Sequence, residues 1–159
     1  MEPELESLIG YHFHDRGLME EALVEAGPRT EGNERLALIG DKVLAIMLLH
    51  RWYMEGSTTE QGTNLLQNYA CNKQLTSRAR ALGLSKFIKQ RLDLKRSVTD
   101  HALATTLKAT LGAVWLDSEE SVRKVNNAME KISLYPPDIS LYPPKFTDQK
   151  RQEDVPTHY

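Results

Sequence analysis

Apolar residues recur at three- and four-residue steps between Asn33 and about Met54, at Leu36, Ile39, Val43, Ile46 and Met47, with Leu44 and Leu48 widening the stripe. This is the period of a helix face, not of a strand. A helix that long and that apolar is expected to be central and buried on several sides, with Asn33 as its N-cap. The remaining segments repeat the same period, and Gly and Pro fall at the joints. Leu5, Leu8 and Ile9 predict a first helix stopped near Gly10, and Leu18, Ala22, Leu23 and Ala26 a second ending at Gly27-Pro28. A fourth is predicted from Thr58 or Thr59 through Leu65, Leu66, Tyr69, Leu75 and Leu82 to Gly83, followed by a short helix over 85–90. Leu103, Leu107, Leu111, Val114 and Trp115 predict a helix from Thr99 to Leu116, and Asp117-Ser118 a start for the last, through Val122, Val125 and Met129. The fold class is all-α.

A chain of 159 residues buries enough surface to hold a core without crosslinks. The lone Cys71 excludes an intramolecular disulfide framework and a multi-cysteine zinc site, and is compatible with a reducing compartment. No apolar run approaches the roughly 18 residues of a membrane span, so no membrane partner is expected. Residues 1–31 hold eight acidic side chains against Arg16 and Arg29, the reverse of a transit peptide, which leaves an intracellular location, cytoplasmic or nuclear, as the default. The net charge of −2 gives no general attraction to polyanions. Its distribution is uneven, however. Lys73, Arg78, Arg80, Lys86, Lys89, Arg91, Lys95 and Arg96 face only Asp93 across 24 residues, a candidate polyanion-binding surface. The plainer alternative is the solvated faces of two helices.

After Lys131 the composition changes. Five of the seven prolines fall in the last 24 residues, and ISLYPPD is followed at once by ISLYPPK. Two copies are too few for a solenoid. Tyr135-Pro136-Pro137 and Tyr142-Pro143-Pro144 are expected to be extended, polyproline-like segments that lie on the domain or reach a protein partner. The chain therefore divides into a helical domain over 1–131 and a C-terminal extension over 132–159, partly packed or mobile.

Within the long helix the sequence reads NERLALIGD, Asn33 to Asp41. It resembles the ribonuclease III catalytic-domain signature N-E-R-L-E-F-L-G-D. Upstream, LESLIGYHFHDRGLMEEAL is similar to the family's opening two helices, with Ile9-Gly10-Tyr11-His12-Phe13 at their turn. Downstream, NKQLTSRARALGLSKFI resembles the segment after the family's fourth helix, and LATTLKATLGAVWLD its L-A-D-x-x-E-A-x-x-G-A-x-x-L-D motif. The matches run over residues 4–131. The resemblance implies an all-helical domain, a two-fold dimer and a groove for double-stranded RNA across both subunits.

It also implies four carboxylates around Mg²⁺. Acids four apart on one helix and three apart on another each share a face, so packing the two helices gathers them into one anionic site. Here only Asp41 matches. Ala37 stands for the first-helix glutamate, Thr105 for the second-helix aspartate and Lys108 for its glutamate partner. Glu34 matches a neighbouring signature acid, and Glu60 lies near a further acidic position to which Thr58 aligns better by spacing. Lys108 is expected either to place its ammonium against Asp41 as a tethered cation, or to reach solvent while Asp41 bonds backbone or Arg35. His101, Thr105 and Lys108 at i, i+4 and i+7 form an alternative phosphate site for metal-independent cleavage, against a solvent-facing or packing role for His101. His12 and His14 read as turn residues. Leu38 stands where the family has an aromatic that enters a socket on the other subunit, and is expected at a homodimer interface, the alternative being its own core.

Three functions follow from these expectations. The leading one is an RNA-associated ribonuclease III-like domain, a pseudoenzyme acting by binding or dimerisation, with the Lys73 to Arg96 cluster on double-stranded RNA phosphates and no cofactor. The second is an active ribonuclease using Asp41, Glu34 or Glu60, with Mg²⁺ or Mn²⁺ as cofactor. The third is a scaffold in a ribonucleoprotein or protein assembly, contacted through the Tyr-Pro-Pro segments.

Overall fold

Two glycines decide how closely the main helices of this domain approach. The computed structural model describes residues 1–55, 57–90 and 97–137. Its helices are α1 (Glu2–Ile9), α2 (Arg16–Ala22), α3 (Glu34–Glu55), α4 (Thr59–Tyr69), α5 (Asn72–Ala81), α6 (Asp100–Asp117) and α7 (Val122–Lys131), with a 3₁₀ turn at Leu84–Phe87 between α5 and α6. Where α3 crosses α6, a Cβ on Gly40 would lie 1.7 Å from the Lys108 carbonyl oxygen, and one on Gly112 would lie 2.2 Å from that of Leu36. Only glycine permits this backbone contact. Around the crossing sits the core, with Leu44, Leu48, Leu75, Leu107, Leu111 and Met129 essentially sealed from solvent.

Local chemistry sets most of the boundaries. Asp15, Thr58, Thr99 and Ser121 each accept a backbone N–H in the first turn of the helix they begin, Thr58 in a reciprocal capping box with Gln61. Gly10 ends α1 in the left-handed conformation. Among the described residues no helix is long and apolar enough to cross a membrane. Two isolated bridges, Val24 with Lys89 and Gly27 with Thr30, are the β-type pairings among those residues.

Several elements differ from expectation. The predicted fourth helix is two, because Cys71 is extended (φ −81°, ψ 153°) and turns the chain between α4 and α5. The second helix stops at Ala22, after which Val24 pairs with Lys89. The last starts after Ser121, because the Asp117 carboxylate is already engaged by the Tyr11 hydroxyl and the N–H groups of His14 and Asp15. Burial pulls the Asp117 carboxyl upward, but these hydrogen bonds outweigh it and hold it below the usual range. Asn33 stands at the N-cap position of α3, its carbonyl accepting the Ala37 N–H. Its amide donates to the Ala22 carbonyl and the Thr106 hydroxyl, tying α2, α3 and α6 together.

The helix buried on several sides is α6, with eleven of its residues inside. α3 is two-faced. Leu36, Ala37, Gly40, Val43, Leu44, Met47, Leu48 and Arg51 look inward, whereas Leu38, Ile46, Tyr53 and Met54 are exposed. Beyond α7 the chain stays on the domain through Ile132, Leu134 and Tyr135, all buried. Arg91, Lys95, Arg96 and Tyr142-Pro143-Pro144 lie outside the described residues.

Candidate functional site at the crossing of α3 and α6

The glycine contact brings the residue after Gly40 against the helix that presents Lys108. Lys108 Nζ is 3.0 Å from Asp41 Oδ1 and donates at 3.0 Å to Asn72 Oδ1 at the start of α5. Lys42 Nζ approaches the second Asp41 oxygen at 3.4 Å. Lys108 is 18% exposed and Asp41 33%, so the pair sits at the mouth of the crossing, partly withdrawn from water. Burial alone would raise the Asp41 carboxyl, yet the hydrogen bond and charge of Lys108, helped by Lys42, leave it below the ordinary carboxylate range. Of the two placements expected for Lys108, the tethered one is present. Arg35, the other proposed partner of Asp41, instead lies 4.0 Å from Glu31.

The other candidates are dispersed. Ala37 is buried one turn before Asp41, and Thr105 is half-buried on α6. Glu34 is exposed at the start of α3, about 10 Å of helix from Asp41. Glu60 is exposed in the first turn of α4, which is fastened by the Trp52 indole N–H to the Thr58 carbonyl. That anchor lies roughly 16 Å along α3 from Asp41. His101 Nε2 stands 3.5 Å from the Thr105 hydroxyl, too long for a firm bond, while Lys108 is committed to Asp41 and Asn72. The alternative phosphate triad is thus not assembled on Lys108. His12 and His14 lie in the turn after α1, against Glu6 and Asp117. Among the basic residues, Lys73, Arg80, Lys86 and Lys89 are exposed and Arg78 is half-buried. Lys73 and Arg80 line a groove with Asn72, Thr76, Ser77, Asp100 and His101 beside the pair, Arg80 bonding Asp100. Lys86 is 3.8 Å from Glu4.

Sequence reasoning missed Asn72 and Lys42. Lys42 adjoins the one matched acid, and Asn72 opens a quoted motif, so both stood in plain view. What was lacking was the third helix of the site, because α5 appeared only as the tail of a longer α4.

A family model described as the ribonuclease III domain matches residues 34–119, more than half of the chain. The chain belongs to the ribonuclease III domain family. It is 27% identical over 128 residues to Ribonuclease 3 of Idiomarina loihiensis, covering 77% of this chain and 56% of that one. To Ribonuclease 3 of Caldanaerobacter subterraneus it is 33% identical over 137 residues, covering 76% and 58%. The chain thus spans little more than half the length of these relatives. The nuclease domain of ribonuclease III from Campylobacter jejuni superposes with a TM-score of 0.73 at 23% identity, over 82% of this chain and 94% of that one. The fold is that of the ribonuclease III nuclease domain.

The positions to which the resemblance assigns metal-binding carboxylates hold Ala37, Asp41, Thr105 and Lys108. These residues do not fit a divalent ion. One carboxylate is present, and an ammonium group already occupies the space in front of it. Among the described residues no three His, Cys, Asp or Glu side chains gather as a metal site.

Proposed function

We propose that this ribonuclease III domain associates with structured or double-stranded RNA without cutting it by the divalent-metal route, and that it does so as a two-fold dimer. The observation that carries this reading is the Lys108 ammonium on Asp41. It neutralises the carboxylate as a cation would, but it has no open coordination position and activates no water. The groove flanked by Lys73 and Arg80 supports the RNA contact, because exposed cations beside the crossing attract phosphates without regard to sequence.

Incubation of the protein with labelled single- and double-stranded RNA in Mg²⁺, Mn²⁺ or EDTA is expected to leave both intact. The duplex should be retained at low salt and released as salt rises. Cleavage by the native protein that Asp41→Ala abolishes would overturn the reading, and retention insensitive to salt would remove the phosphate contact.

The outward face of α3 supports dimerisation. Leu38, Ile46 and Tyr53 are 68%, 57% and 74% exposed on one stripe. Beside them Trp52, Trp115 and Val122 line an apolar hollow of about 510 Å³. A surface of this kind is costly to leave in water. The Campylobacter nuclease domain is itself described as having a region involved in dimer formation. Light scattering at micromolar concentration should give twice the 18.1 kDa chain mass, and Leu38→Glu, at a position outside the core, should return the mass to that of one chain. A native protein found at the single-chain mass would refute the dimer.

A further inference from the structure

The repeated Ile-Ser-Leu-Tyr-Pro-Pro has no part in this function, yet its first copy is built into the fold. Ile132 and Leu134 are 1% and 3% exposed. The Tyr135 hydroxyl donates at 2.9 Å to Asn126 Oδ1, and the Arg51 guanidinium lies 3.3 Å from the centre of the Tyr135 ring. Arg51 is itself 2% exposed, and its Nη2 bonds Asn126 and Glu130. Its Nε and Nη1 have no hydrogen-bond partner among the described residues, and the Tyr135 ring lies over the guanidinium of this buried cation. Burial pushes the Tyr135 hydroxyl well above its ordinary pKa, which keeps it a donor.

We propose that this socket accepts either copy of the repeat, the second serving as a replacement plug when the first is withdrawn. The socket reads Ile, Leu and Tyr at the first, third and fourth positions of the motif. Ile139, Leu141 and Tyr142 repeat these residues at the same spacing, and the copies diverge only at Asp138 and Lys145. Both therefore offer the same apolar area, the same hydroxyl for Asn126 and the same ring for Arg51. The registers differ in the connection. The first copy runs directly out of α7 and closes it, the Ile132 and Leu134 N–H groups donating to the Ala128 and Met129 carbonyls; use of the second gives up these bonds and loops out seven residues, an entropic cost that grows only slowly with loop length. An empty socket is far worse, since it opens the core and strips the ring from a buried guanidinium. The first register is the ground state and the second an accessible alternative. The exchange frees one Tyr-Pro-Pro segment for a groove that reads extended proline-rich chain while the domain stays closed.

Thermal unfolding of the full chain tests the exchange through Tyr135→Ala, Tyr142→Ala and the double variant. Tyr142→Ala should melt with the native protein. Tyr135→Ala should lose about 3 °C, because the second copy takes over, and the double variant about 10 °C, with no tyrosine left for the socket. A Tyr135→Ala protein as unstable as the double variant, or unable to fold, would mean that the second copy does not enter. A loss in Tyr142→Ala equal to that in Tyr135→Ala would give the second copy a place of its own, and no loss in the double variant would deny the socket its role. Each of these outcomes overturns the proposal. The milder pair Tyr135→Leu and Tyr142→Leu repeats the comparison with a smaller perturbation.

Discussion

Gly40→Ala is expected to destabilise the domain by about 3 kcal/mol and to lower its melting temperature by about 10 °C. The usual sign of such a change is the opposite, since alanine in place of a helix-interior glycine stabilises by roughly 1 kcal/mol. Here the added methyl meets the Lys108 carbonyl oxygen at 1.7 Å, and a backbone carbonyl inside α6 has no rotamer into which to retreat. The helices must separate, and the contacts of Leu44, Leu107 and Leu111 loosen with them. Denaturation followed by circular dichroism provides the measurement. A melting temperature unchanged or raised would show that α3 and α6 do not approach this closely. Because the same separation draws Lys108 from Asp41, the variant should also lose whatever the pair contributes.

Restoring the family's acids by Ala37→Glu, Thr105→Asp and Lys108→Glu is expected to create a Mg²⁺ site at the crossing of α3 and α6. Four carboxylates at one helix crossing repel one another and are partly desolvated, so the metal-free variant should be less stable than the native domain. An ion that binds only the folded state restores stability by mass action, about 2.7 kcal/mol at a hundred times its dissociation constant. The melting temperature of the variant should therefore climb by several degrees with Mg²⁺, while that of the native protein stays level. A native protein that responds equally would mean that Lys108 does not exclude the ion. The pH dependence reverses as well. In the native protein the lowered carboxyl of Asp41 contributes stability above the ordinary carboxylate range near 4, and that contribution is lost as pH falls through the folded value. In the metal-free variant the crowded acids have raised values, so acidification from neutral toward pH 5 should stabilise it.

The helical period and the ordered motifs made the fold legible, and the matched position of Lys108 pointed to its contact with Asp41. Other features were hidden for identifiable reasons. Apolar residues continue on both sides of the turn at Cys71, Leu66 and Tyr69 before it and Leu75 and Leu82 after it, and no Gly or Pro marks it, so α4 and α5 read as one. Asp117 is good cap chemistry, but its carboxylate is claimed by Tyr11, His14 and Asp15, more than a hundred residues away in sequence, which local patterns do not register. Ile46 and Met47 are equally apolar and adjacent, and only the tertiary structure assigns one outward and the other inward. Asn72 joins the site by way of α5, so no spacing within α3 or α6 pointed to it.

α3 is in effect a party wall. Its inner side is fixed against α6 with no spare space at Gly40, and its outer side carries Leu38, Ile46 and Tyr53. The wall is one helix thick, about 10 Å. Leu38 lies within a turn of Asp41, so a partner seated on the outer stripe would be one helix away from the Lys108 contact. The contact made outside and the geometry of the charge pair inside are therefore to be measured together.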